Sequence, residues 1–138
     1  MADLTITKAN VIKGANSTVV NGIAGATVTA GQAVYEDTTD SNKIKLADAN
    51  GATALIATCK GIALNDALAG QPISYIVGND LGLGAILTIG TIYCLSATAG
   101  AICPAADLAS GMRTTIIGVA TTTSNLRIAL NSSGALIA

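Results

Sequence analysis

Turn-forming clusters divide this chain into segments that carry strand signals rather than helix signals. DTTDSN at 37–42, GND at 78–80, TAG at 98–100 and TTTSN at 121–125 are, apart from Ala99, built from Asp, Asn, Ser, Thr and Gly, residues that supply turn geometry or bond their own backbone. Between them lie short β-prone runs: 3–12, 17–20, 26–29, 32–35, 43–46, 73–77, 86–95, 114–120 and 126–130. Leu4 and Ile6 alternate with Thr5 and Thr7, the two-residue period of a half-buried strand. Many short strands divided by turns indicate an all-β fold, a small barrel or sandwich. Short helices fit only at 48–57 and 105–111.

The chain also resembles itself. TAGQAVYED at 29–37 matches TIGTIYCLS at 88–96, KIKLADANGATA at 43–54 matches AICPAADLASGM at 101–112, and KGIAL at 60–64 matches IGVAT at 117–121. The anchors keep nearly constant offsets: 59 from Gly31 to Gly90, 59 from Asp48 to Asp107, 57 from Gly61 to Gly118. We therefore expect two degenerate β units, about 26–84 and 85–138, making one β domain over 26–138. Residues 1–25 lie outside the repeat and are expected to form an extended N-terminal arm. The first glycine of each unit suits a tight turn, and the second lets a neighbouring backbone approach closely.

Residues 81–106 hold no charged side chain. A bilayer helix needs about 20 consecutive, predominantly apolar positions, and this run is interrupted by Gly82, Gly84, Gly90, Gly100 and Pro104. No Trp or basic flank anchors its ends. It reads as two strands and a turn, the uncharged counterpart of the charged hairpin around Tyr35. That makes Cys94 and Leu95 the first candidates for a subunit or partner contact, and no membrane association is expected.

Only 2% of residues are aromatic although 51% are hydrophobic. Small side chains bury little area each, at about 25 cal/mol per Å², so the core should be thin and a homo-oligomer is expected. Seven scattered basic residues and a net charge of −1 do not make the basic patch that phosphate binding requires, so no nucleic-acid partner is expected. MADLTITK lacks the basic and apolar regions of a secretory signal.

Chemistry is sparse. With no histidine, the Ser-His-Asp and Cys-His arrangements and HExxH are unavailable. Cys59, Cys94 and Cys103 show no CxxC spacing; they read as buried small residues with room for at most one disulfide. Glu36, Asp37 and Asp40 have the oxygen ligands calcium uses, but in this setting they read as a solvated hairpin turn. Asp48 and Asp107 are repeat equivalents better suited to caps or turn bonds than to catalysis. Tyr35 and Tyr93 are expected in the core or at a subunit contact, with their hydroxyls at the rim. No catalytic, cofactor or metal site is expected, and the chain does not read as an enzyme.

Gly31, Val34, Tyr35 and Asp37, then Lys45, Ala47 and Ala49, then Gly61, Ala63, Ala67, Gly70 and Val77 form a pattern that resembles the decoration, or cement, proteins of tailed-bacteriophage heads. The resemblance spans roughly 26–131. It implies a β-rich structural protein made in the bacterial cytoplasm that becomes part of the virion, on the capsid exterior. Its partner would be the major capsid protein, whose subunit contacts it would stabilise, and a homotrimer is the favoured state. In several such families an N-terminal arm pairs with a capsid strand; Leu4, Ile6, Val11 and Ile12 are the residues here that would serve. The alternative from another class is a phage tail or fibre component, or a bacterial surface adhesion module.

Overall fold

A computed structural model describes residues 3–138. The chain is all-β: ten strands, two single 3-10 turns and, among the described residues, no α-helix. The strands are β1 (Ile12–Lys13), β2 (Thr18–Ile23), β3 (Ala33–Asp37), β4 (Lys43–Leu46), β5 (Gly61–Ala63), β6 (Pro72–Gly82), β7 (Ile92–Leu95), β8 (Ile102–Pro104), β9 (Arg113–Ala120) and β10 (Asn125–Leu136).

All strand pairings are antiparallel. The path across the sheet runs β4-β3-β5-β6-β10-β9-β7-β8, with β1 and β2 also on β6. From the centre outward the order is the same on both sides. A long strand pairs with a GIA/GVA strand, which pairs with the first strand of a hairpin. The register repeats too: Val34 faces Gly61 and Tyr93 faces Gly118.

β6 is the hinge of this arrangement. Residues 72–78 pair with β2, and residues 75–76 also pair with β5. Residues 79–82 pair with β10, and residues 81–82 also pair with β1. The switch falls at Asn79, which adopts φ +68°, a left-handed conformation that asparagine tolerates better than most residues. The GND cluster thus marks a bend inside a continuous strand, where a turn was expected.

The first half of the sheet curls until β4 meets the segment after β2. Gly25 N donates to Ile44 O at 2.7 Å, and Ala24 bridges Ile44. This curl encloses a small core of Val28, Val34, Ile44, Ala63, Ala67, Ile73 and Tyr75. The main core lies between the two halves and includes Tyr35, Ile62, Ile76, Leu81, Leu83, Tyr93, Leu95, Ile102, Ile117 and Leu126. The second hairpin closes onto the first: Ala33 N donates to Gly100 O, Gly100 N to Ala47 O and Ala49 N to Ser96 O.

Several local expectations need correcting. Residues 48–57 form turns rather than a helix, and of 105–111 only Ala105–Asp107 winds into a 3-10 turn. Residues 3–7 form no strand ladder; a 3-10 turn follows at Lys8–Asn10. Of 86–95 only 92–95 is strand, and of 26–29 only Val28 forms a bridge, to Ala67. The uncharged run forms loops and strands, and no helix among the described residues is long and apolar enough to cross a membrane.

Candidate functional site

The uncharged run divides its apolar side chains between two destinations. Leu81, Leu83, Leu87, Tyr93, Leu95 and Ile102 enter the main core. Ile86, Ile89 and Ile92 remain 37%, 64% and 43% exposed. Their spacing of three is the signal in the sequence. It does not match the two-residue alternation of a strand, so these isoleucines cannot all share one buried face.

Backbone bonds fix where they stand. Gly90 N donates to Ala120 O at 2.8 Å and Ala120 N to Thr91 O at 3.1 Å, holding the loop against the end of β9. Ile92 then lies directly opposite Val119, itself 38% exposed. The row continues through Arg127 to Asp80, whose carboxylate takes the Arg127 guanidinium at 3.4 Å and the Asn125 amide at 3.0 Å. The outer face of β7, β9 and β10 therefore has an apolar end, Ile92–Val119, with the exposed Ile89 on the loop just before it, and a charged end, Arg127–Asp80. Exposed contiguous apolar side chains of this kind mark contact surfaces for other molecules.

The residues singled out from sequence fall differently. Cys94 and Leu95 are 1% and 0% exposed, so a contact at this hairpin falls to Ile92 and its neighbours instead. Leu4, Ile6 and Val11 are half-buried against the main core. Leu4 N donates to Ile102 O at 2.8 Å, Asp3 accepts the Ser96 hydroxyl, and Lys8 pairs with Asp66 at 2.8 Å. The N-terminal segment thus runs along the body, roofing an open cavity of about 290 Å³ lined by Ile6, Gly31, Gln32, Thr98 and Gly100. Ile12 alone of these candidates is well exposed, at 63%.

The charged hairpin is internally neutralised. Asp37 accepts the Thr39 amide and hydroxyl at one oxygen and Lys45 at the other, the latter at 2.8 Å; Lys45 also reaches Asp40 at 2.9 Å. The Lys45 bond, then the Thr39 hydroxyl, hold Asp37 down at about 2, and the same ammonium lowers Asp40. Asp48 accepts the Asn50 amide in an Asx turn. Asp107 caps nothing, and its carboxylate oxygens are buried without a partner among the described residues. Tyr35 and Tyr93 are both buried in the main core; the Tyr93 hydroxyl accepts the Thr88 amide at 3.0 Å, which ties the exposed loop to the core.

No protein-family model matches the chain, and no curated protein sequence matches it.

Proposed function

We propose that this chain is a structural virion protein, a decoration protein that binds the outer surface of a tailed-phage capsid and stabilises contacts between major capsid protein subunits. The observation that carries this reading is the exposed apolar set Ile89, Ile92 and Val119, the first two of them on the stretch that bears no charge. A partner surface of protein chemistry suits such a row: the centres of protein interfaces are depleted in charge. The sequence resemblance to cement proteins points to the major capsid protein as that partner. With its apolar residues packed against the body, the N-terminal segment would need release before pairing with a capsid strand, whereas the row is already free.

Co-sedimentation of the purified chain with expanded capsids lacking it tests the reading. Saturable binding that Ile92→Glu abolishes is the expected result, and no binding to expanded heads overturns it. Deleting residues 1–12 separates the two surfaces: unchanged binding removes the arm from the mechanism and leaves the row.

A further inference from the structure

We propose that Cys94 and Cys103 form an intramolecular disulfide across the β7–β8 hairpin when the protein meets an oxidant of the small-molecule disulfide class. The two residues are direct register partners on adjacent antiparallel strands, so both side chains leave the hairpin on the same face. Two positions on, Ser96 N donates to Ala101 O, which puts the cysteines in the hydrogen-bonded class of pairs, with Cα atoms about 5.5 Å apart. A disulfide prefers a Cα separation of about 5.5–6 Å and a Cβ separation of about 3.8 Å, whereas the Cβ atoms of a hydrogen-bonded pair stand nearer about 5.5 Å, so closure needs side-chain rotation and a local drawing-together of the two strands. Tyr93, Leu95 and Ile102, which flank them, point into the main core. The cysteines therefore lie on the opposite face of the hairpin, buried but outside the main core.

The third cysteine is set apart. Cys59 belongs to the main core and donates to Gly61 O, which leaves Cys94 and Cys103 as the pair. Both are free thiols in the structure, and both are buried. The N-terminal segment crosses the hairpin beside them, held by Asp3 to Ser96 and by Leu4 to Ile102. Oxidation then waits on local release of this segment. Burial also pushes the Cys94 thiol up, and burial plus the neighbouring Cys94 sulfur push Cys103 to about 11, which keeps the closed form in its thiol state.

The exchange balances with oxidised glutathione as the probe. One thiolate attacks a glutathione sulfur, releasing one glutathione thiolate and leaving a mixed disulfide. The second cysteine then attacks the first cysteine's sulfur and releases the other glutathione. Two protein thiols are oxidised, one small disulfide is reduced, and the two protons end on the released glutathiones. The cross-link does not depend on the capsid reading.

The reduced full-length chain, incubated with oxidised glutathione, should lose two hydrogens by intact mass, yield a peptide joining residues 94 and 103, and keep only Cys59 available for alkylation after denaturation. Cys59→Ala should lose the same two hydrogens and leave no thiol to alkylate, and Cys94→Ser and Cys103→Ser should stop at a single glutathione adduct. Asp3→Ala should speed closure several-fold. Three free thiols after prolonged exposure, a mixed disulfide that never closes in the parent chain, or a bond involving Cys59 or a second chain would overturn the proposal.

Discussion

A methyl group placed on Gly61 would lie 2.4 Å from the carbonyl oxygen of Ile76, and one on Gly118 would lie 2.0 Å from that of Arg127. In both halves of the sheet the GIA/GVA strand is pressed against the backbone of the long strand beside it. A carbonyl held in a ladder cannot swing aside as a flexible side chain does. Gly61→Ala and Gly118→Ala should therefore each cost about 1–3 kcal/mol or more through overpacking, read as a lower urea midpoint. Gly70→Ala meets no neighbouring atom but has φ +89°, so its smaller cost should come from backbone strain alone.

The exposed row should separate binding from folding. Ile89→Lys and Ile92→Glu change side chains that the core does not use, so stability should stay within about 0.5 kcal/mol of the parent. Capsid affinity should fall at least tenfold, about 1.4 kcal/mol, by sedimentation. Equal losses of stability and binding would show that these isoleucines serve the fold.

Acid should loosen the first hairpin in a defined window. Asp37 titrates at about 2 when folded against about 3.9 unfolded. A carboxylate lowered on folding stabilises the native state above its unfolded value, and that contribution is lost as pH falls from about 4 to about 2. Asp40, Asp66 and Asp80 are lowered as well, so all four act in the same direction. Lys45→Met should raise the Asp37 midpoint in a carboxyl-resolved NMR titration and flatten the acid limb of the stability curve.

Thr115 pins the turn segment 48–58 to the second half of the sheet. It is fully buried, and its hydroxyl donates to Ala57 O. Thr115→Val keeps the shape and removes the donor, for an expected loss of about 1–3 kcal/mol. Amide exchange at residues 55–58 should accelerate more than elsewhere.

What could be read from sequence follows from which forces act locally. The hairpin at 33–46 declared itself through β-prone runs on either side of DTTDSN, where Ser41 and Asn42 take φ +54° and +59°. The paired glycines at 61 and 118 were legible because only a missing side chain permits such close strands. Partner choice was not legible. Alternation at Leu4 and Ile6 correctly signals a buried face, yet these residues pack on the body without a ladder. GND reads as a turn, whereas β6 continues through it by exchanging partners at Asn79. The exposed row was hidden for a related reason: Cys94 and Leu95 are apolar and central in the uncharged run, but three-dimensional closure buries them. The isoleucines on the loop before them stay outside.

Because β6 serves both halves of the sheet, neither half can be lifted out intact. Severing the chain after residue 84 would strip β10 of one of its two neighbours and leave residues 79–80 of β6 without their strand partner. Two look-alike halves joined this way cannot drift apart into beads on a string. They should melt as one and, if split, come back together only as complementary fragments.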